Sequence, residues 1–157
     1  GGGINFSMGI DPDTAGTATG NTLDDYEEGT FAVVINLGSG TADSSASHPF
    51  SYTKIGNVVH LSTYLNGIDT SDAGSGDLRI SGIPFAGVSE QLYRVGSVMI
   101  DRFTFRSGAH LASVIYANEG YISIFETESS ANDKTYIAVT DWENSGADLS
   151  IQITYNA

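Results

Sequence analysis

The sequence predicts an all-β protein, an antiparallel β-sandwich of the jelly-roll type. Three observations support this class: short apolar runs at even spacing, turn residues between them, and no long run of helix-forming residues. Charged residues make up only 16% of the chain, and Gly, Ser, Thr and Asn replace them, as strands and tight turns require. The length of 157 residues and the 40% hydrophobic content fit one globular domain with a substantial core.

The clearest element is a hairpin, FSYTKI-GN-VVHLSTYL, at 50–65. Gly56 and Asn57 tolerate the positive φ angles of a two-residue hairpin turn. Such a turn fixes the register, which predicts the pairs Ile55 with Val58, Lys54 with Val59, and Tyr52 with Leu61. The side chains that then share the core face are Phe50, Tyr52, Val59, Leu61 and Leu65.

The whole chain predicts about nine strands, each bounded by Gly, Asn, Asp or Ser. They are 31–37, 50–55, 58–65, 77–81, 92–105, 111–118, 121–127, 135–139 and 149–155. In the last strand Leu149, Ile151, Ile153 and Tyr155 alternate with polar residues. This alternation indicates an antiparallel sheet with one face in water.

The alternation of apolar and polar residues changes phase within the run at 95–106. Its apolar residues fall into two groups of opposite parity: Val98 and Ile100 in one, and Met99, Phe103 and Phe105 in the other. Either a β-bulge near Asp101 shifts the phase, or both faces of the strand are covered. Covering both faces would require another sheet or another subunit.

The acidic character of the chain argues against two classes of partner. Six basic and 19 acidic residues give a formal net charge of −13. Such a surface repels the phosphates of nucleic acids and of anionic membranes, so we expect neither nucleic-acid binding nor membrane insertion. The longest apolar run, at 31–35, is too short to span a bilayer. Because the chain has no cysteine, disulfides and thiol chemistry are excluded.

The stretch NTLDDYEEGTF at 21–31 surrounds Tyr26 with four carboxylates: Asp24, Asp25, Glu27 and Glu28. Paired carboxylates act as acid and base in glycoside hydrolysis, but only where they flank a sugar-binding cleft. No cleft is evident around a connector that precedes the first strand. The favoured interpretation is therefore a solvated or salt-bridged connector.

No other motif predicts catalysis or a metal site. The loop DTSDAGSGD at 69–77 has the composition of some calcium sites, but it lacks EF-hand spacing, and a plain turn is favoured. His48, His60 and His110 lack the spacing of zinc ligands. Nucleophile motifs and phosphate-binding glycine loops are absent from the sequence. We predict no catalytic residue, no metal and no cofactor.

The single tryptophan suggests sugar binding. Trp142 lies in DWEN at 141–144, directly before a Ser-Gly turn signal. Aromatic rings flanked by Asp, Asn and Glu commonly bind sugars by stacking and by polar contacts. The competing interpretation is that Trp142 packs at the rim of the sandwich or in a subunit interface.

Three ordered segments resemble the C-terminal heads of phage tail-fibre proteins: NTLDDYEEGTF at 21–31, SYTKIGNVVH at 51–60 and GSGDLRISGIPF at 74–85. In that family the acidic segment follows the repetitive stalk and introduces a β-sandwich head that ends the polypeptide. The resemblance implies a stalk end and connector at 1–22 and a head domain at 23–157. GGGINFS at 1–7 is similar to the last piece of such a stalk, and YNA at 155–157 to the end of such a head.

The resemblance also implies a homotrimer at the distal end of the tail fibre of a virion, joined to the rest of the fibre and extracellular. Five residues are then predicted at the trimer interface: Leu23, Tyr26, Met99, Phe103 and Phe105. Four arginines would pair with carboxylates of a neighbouring chain: Arg79, Arg94, Arg102 and Arg106.

These observations favour a non-enzymatic trimeric adhesin that binds a host cell-surface glycan or protein, such as a polysaccharide or an outer-membrane component. The predicted receptor-binding residues are Tyr93, Asn118, Asn132, Asp133, Asp141, Trp142, Glu143 and Asn144. Two alternatives stay open. One is an enzyme domain that degrades or deacetylates a polysaccharide, and the other is a structural cap that holds the fibre together as a trimer.

Overall fold

A computed structural model describes residues 26–37, 49–68, 74–87, 93–104, 108–128, 134–138, 140 and 146–157. The elements of these residues are ten strands: β1 Tyr26–Ala32, β2 Val34–Leu37, β3 Pro49–Ile55, β4 Val58–Ile68, β5 Leu78–Ser81, β6 Tyr93–Asp101, β7 Ala109–Tyr116, β8 Tyr121–Glu128, β9 Lys134–Tyr136 and β10 Ala147–Asn156. The all-β class is confirmed, whereas the jelly-roll arrangement stays a prediction. Within the described ranges, no helix is long and apolar enough to cross a membrane.

The strands form an antiparallel sheet that nearly closes on itself. Neighbours follow the order β1-β3-β4-β10-β6-β7-β8-β5-β2, and β9 pairs with β8 beside this path. β1 and β2 occupy opposite ends of the order, although only Val33 separates them in the chain. The sheet must therefore curl until its two ends meet at one stretch of chain.

The core fills the inside of the curled sheet and follows strand alternation. In β10 the inward side chains are all buried: Ala147, Leu149, Ile151, Ile153 and Tyr155. The β3–β4 hairpin has the predicted register, including Ile55 opposite Val58 and Tyr52 opposite Leu61. Its predicted core face is confirmed, because Phe50, Val59, Leu61 and Leu65 are fully buried and Tyr52 packs against them.

A turn at Arg102 explains why the alternation changes phase after β6. Val98 and Ile100 face inward, whereas Met99 is exposed. Arg102 then adopts a φ of 58°, which L-residues generally avoid, and the chain turns so that Phe103 enters the core. Phe103 is therefore buried within its own chain, which corrects its predicted position on an exposed interface.

The acidic segment differs from the sequence prediction, because its described part is a strand. β1 pairs with β3 from Tyr26 to Ala32, with Glu27 opposite Lys54 and Glu28 opposite Thr53. The inward positions Gly29 and Phe31 anchor β1, since Phe31 packs against the core and Gly29 accommodates the ring of Tyr52. Asp24 and Asp25 lie outside the described residues.

Both described carboxylates of this segment are exposed and accept a hydrogen bond from a tyrosine. The Tyr52 hydroxyl donates to Glu27 Oε1 at 2.5 Å, and the Tyr26 hydroxyl donates to Glu28 Oε2 at 2.6 Å. These bonds raise the pKa values of both tyrosines, because a phenolate would face a carboxylate. Both pairs lie on the exposed surface of β1.

Candidate functional site

A polar groove crosses the outer side of β2, β5 and β8. It has a volume of about 490 Å³ and is lined by Asn36, Gly76, Asp77, Arg79, Ser81 and Tyr121. Strand alternation produces this lining, since Leu78 and Ile80 point into the core and leave Arg79 and Ser81 on the outer side. Register brings the neighbouring strands into line, with Asn36 opposite Arg79 and Tyr121 opposite Ser81.

The groove combines hydrogen-bond donors and acceptors with an aromatic ring. The Arg79 guanidinium carbon lies 4.8 Å from the centre of the Tyr121 ring, a cation–π contact that orders an otherwise flexible side chain. Asn36 Nδ2 donates to Ser81 Oγ at 2.6 Å, and this hydrogen bond fixes the orientation of the amide. Asp77 adds a carboxylate acceptor at the end of the groove. Such a set can both donate to and accept from neighbouring hydroxyls.

An aromatic cluster built around a lysine lies on the same outer side. Tyr93, Tyr116, Phe125 and Tyr136 contact one another with ring centres 5.1–6.5 Å apart. Lys134 Nζ lies 4.4 Å from the centre of the Tyr93 ring, 4.9 Å from Phe125 and 5.2 Å from Tyr116. Val114 and Phe125 are buried on this outer side without belonging to the main core, so the cluster forms a second packed layer.

Hydrogen bonds set the charge of this cluster. Tyr116 and Tyr136 share a 2.5 Å hydroxyl contact, and Lys134 Nζ donates to the Tyr116 hydroxyl at 3.1 Å. The bond with Tyr116, together with burial, raises the pKa of Tyr136 to about 12. The bond to Tyr116 also raises the pKa of Lys134. At neutral pH the Tyr136 phenol is therefore neutral and the Lys134 ammonium group is charged.

The groove and the aromatic cluster are parts of one surface. The pKa of Tyr136 is also raised by Asp77 and Tyr121 of the groove, which reflects their proximity. A backbone bridge between Asp77 and Ala138 joins the same two regions. The combined surface, which we call the polar–aromatic surface, draws on β2, β5, β6, β7, β8 and β9.

Two predicted receptor-binding residues lie at this side of the molecule. Tyr93 is 53% exposed and belongs to the aromatic cluster. Asn118 is exposed in the β7–β8 turn, where it has a φ of 60° and donates its backbone N–H to the carbonyl of Gly87. The other six predictions lie outside the described residues: Asn132, Asp133, Asp141, Trp142, Glu143 and Asn144.

Of the five residues predicted at the trimer interface, three lie among the described residues. Tyr26 and Met99 are exposed, at 51% and 59%, and Phe103 is in the core. Leu23 and Phe105 lie outside the described residues.

Most of the polar–aromatic surface was not anticipated from the sequence. Arg79 lies between Leu78 and Ile80, so strand alternation places it on the outer side, and Lys134 directly precedes the predicted strand at 135–139. Tyr116, Tyr121 and Tyr136 gave no separate signal, because an outward tyrosine in a strand is common. Among the described residues, no group of three or more His, Cys, Asp or Glu could hold a metal ion.

Comparisons with known proteins give one structural relative. No family model and no curated protein matches the chain. The fold is similar to part of the crystal structure of Dettilon tailspike protein (gp208), with a TM-score of 0.62 and 21% sequence identity. The match covers 83% of this chain but 24% of that chain. The chain thus corresponds to a minor part of that protein, and the similarity is one of fold.

Proposed function

We propose that this chain is the receptor-binding head of a phage tail fibre or tailspike. In this proposal it acts as a homotrimer at the distal end of the virion's tail, binds a host cell-surface glycan and performs no catalysis. The bound glycan belongs to a polysaccharide or another outer-membrane component. The head has the β-sandwich architecture of the jelly-roll type.

The polar–aromatic surface carries this proposal. A sugar presents hydroxyl groups that donate and accept, together with an apolar ring face. The guanidinium of Arg79 and the amide of Asn36 supply donors, and Asp77 supplies an acceptor. The exposed ring of Tyr93, in the aromatic cluster, offers a stacking platform on the same surface.

The structural relative supports the same proposal at a coarser level. A phage tailspike contains a segment with this fold, so the fold is compatible with a place in a phage tail. Three copies of the groove in one head would add avidity, because each further contact after the first is intramolecular. Weak individual sugar sites are then sufficient for stable attachment to a cell.

The test compares groove variants on host cells. A fluorescent fusion of the chain is incubated with a panel of candidate bacterial hosts, and retained fluorescence is measured by flow cytometry. Arg79→Lys keeps the charge but loses the planar fork, and Asp77→Asn keeps the shape but loses the charge. We expect each to lower the apparent affinity about tenfold, since each removes a charge-assisted hydrogen bond. Thr104→Ala, at an exposed position outside the groove and the aromatic cluster, is the control and should bind like the wild type.

Three outcomes would count against parts of the proposal. Absence of binding to every host contradicts the receptor-binding function. Binding that neither groove variant alters contradicts the assignment of the groove. Release of reducing ends or acetate from host polysaccharide contradicts the non-catalytic character and favours the enzyme alternative.

A further inference from the structure

Exposed apolar side chains concentrate on the outer side of strands that do not line the groove. Eight large hydrophobic residues are exposed among the described residues, and six of them lie on the outward side of β1, β3, β4 and β6: Tyr26, Ile55, Val58, Tyr64, Val95 and Met99. Register aligns Tyr26 with Ile55 and Ile55 with Val58, and it aligns Tyr64 with Met99 across β10. Apolar side chains thus occupy both ends of this side.

The centre of the same side is polar but uncharged. One row runs across four strands through residues paired in register: Ser51, Ser62, Gln152 and Ser97. The next row continues it with Thr53, His60 and Thr154. We call the outward residues of β3, β4, β10 and β6, from Val58 to Tyr64 along β4, the uncharged face.

Charge defines the limits of this face. No Asp, Glu, Lys or Arg lies within it, although the chain has 19 acidic residues. Glu28 lies at the β1 edge, and Asp101 opposite Asp148 lies at one end. A surface kept free of carboxylates in so acidic a chain can be buried against another acidic protein without bringing like charges together.

The chemistry of the uncharged face complements itself. Ser, Thr, Gln and Tyr each carry groups that donate and accept hydrogen bonds, so two copies can satisfy one another in more than one orientation. In a three-fold assembly the face would turn toward the axis, where it contacts two neighbouring copies. A face built from charges of one sign could not associate with a copy of itself.

The area of the face is about half of a standard subunit contact. The run from Val58 to Tyr64 along β4 and four strands spaced about 4.8 Å apart give roughly 450 Å² per copy. A standard interface buries roughly 800 Å² per partner, and the neighbouring Tyr26 extends the available surface. The face can therefore form the centre of a larger contact.

We infer that the uncharged face is where copies of this chain meet. The inference rests on the proposed homotrimer and is independent of the proposed glycan. Tyr26 and Met99 would then contribute to the contact, whereas the groove with Arg79 would point away from it and stay accessible.

The test introduces one charge at the centre of the face. Gln152→Glu is nearly isosteric and exposed, so the fold should be retained, but three carboxylates would be brought together in a trimer. The control is Asn118→Asp, the same change of amide to carboxylate at the β7–β8 turn. Sedimentation equilibrium of the full chain measures self-association of both variants and of the wild type, and circular dichroism checks the fold.

We expect a trimeric wild type, an unchanged Asn118→Asp variant, and a self-dissociation constant raised roughly 100-fold in Gln152→Glu. Met99→Gln should act in the same direction through lost apolar contact, and it covers the case in which Gln152→Glu does not fold. A monomeric wild type would overturn the inference, and so would variants of Gln152 and Met99 that associate like the wild type. If a monomeric chain still binds host cells, the receptor-binding function is supported and this inference is contradicted.

Discussion

At the scale of single residues, Gly96 lies where β6 changes its pairing partner from β7 to β10. It is the last residue of β6 paired with β7, and Ser97 is the first paired with β10. A Cβ atom at Gly96 would overlap the carbonyl oxygen of Gln152 and lie 2.7 Å from Ser113 Oγ. The backbone would have to move, because a carbonyl of a central strand cannot rotate away.

Gly96→Ala should therefore lower the free energy of unfolding by about 3 kcal/mol, as other overpacked sites do. Gly120→Ala is the matched control, because nothing lies within 4 Å of its Cβ position and its φ is not positive. It should stay within about 0.5 kcal/mol of the wild type. Urea titration of both variants measures this, and equal stabilities would contradict the packing argument.

The Tyr136 hydroxyl should make stability sensitive to alkaline pH. Its pKa is about 12 in the folded chain and 10.0 in its ordinary state, so folding favours the neutral phenol. That contribution is fully present below pH 10 and is lost as the pH rises from 10 towards 12. Tyr136→Phe has no proton to lose at this position, and it also lacks the hydrogen bond with Tyr116.

Tyr136→Phe should be about 1 kcal/mol less stable than the wild type at pH 7, the typical contribution of one hydrogen bond. The difference should shrink between pH 10 and the highest pH at which the protein stays folded. Urea unfolding at a series of pH values measures the difference. A difference that is constant with pH would show that Tyr136 titrates normally.

At the scale of elements, local signals predicted more than long-range ones. The β3–β4 register followed from Gly56 and Asn57, because a two-residue turn fixes the pairing of the strands beside it. β1 was missed because two glutamates and a glycine are poor strand formers. Its pairing depends on β3, whose residues lie 17 (Ala32 to Pro49) to 29 (Tyr26 to Ile55) positions further along the chain. The turn at Arg102 was anticipated as a phase shift but not as a positive φ.

Asp148 stabilises an irregular end of β4 and β10. The register shifts between Ala147 and Leu149, and Gly67 has a φ of 68° on the facing strand. Gly67 N–H donates to Asp148 Oδ1 at 2.9 Å, and the Tyr64 hydroxyl donates to Oδ2 at 2.8 Å. These two bonds, the backbone one foremost, lower the pKa of Asp148 below its usual 3.8.

Because folding lowers this pKa, the carboxylate contributes stability above pH 3.8 and loses it as the pH falls below that value. Asp148→Asn should therefore be less stable than the wild type at pH 7, and the difference should be smaller at pH 3. Tyr64→Phe should have a smaller effect, because it leaves the backbone bond in place. Thermal melts at both pH values measure this, and a difference that is equal at pH 3 and pH 7 would contradict the assignment.

At the scale of the whole molecule, the site was the least predictable feature. Asn36, Arg79 and Tyr121 come from three strands that are distant in the chain and become neighbours only in the closed sheet. The sequence indicates which way a side chain points but not which strand lies beside it. Tyr93 was among the predicted receptor-binding residues, whereas its partners Tyr116 and Tyr136 were not.

The charge of the whole chain gives a last prediction, about salt. A homotrimer would carry 3 × (−13) = −39 formal charges, which oppose assembly at low ionic strength. Two of the four arginines predicted to pair between chains are engaged elsewhere: Arg94 is buried, and Arg79 contacts Tyr121 in the groove. Contact through the uncharged face would then gain little from ion pairs.

Raising NaCl from about 20 mM to about 150 mM shortens the screening length to about 8 Å, so the self-dissociation constant should fall severalfold. Sedimentation equilibrium at both salt concentrations measures this, and a constant that rises with salt would instead indicate an interface held by arginine–carboxylate pairs.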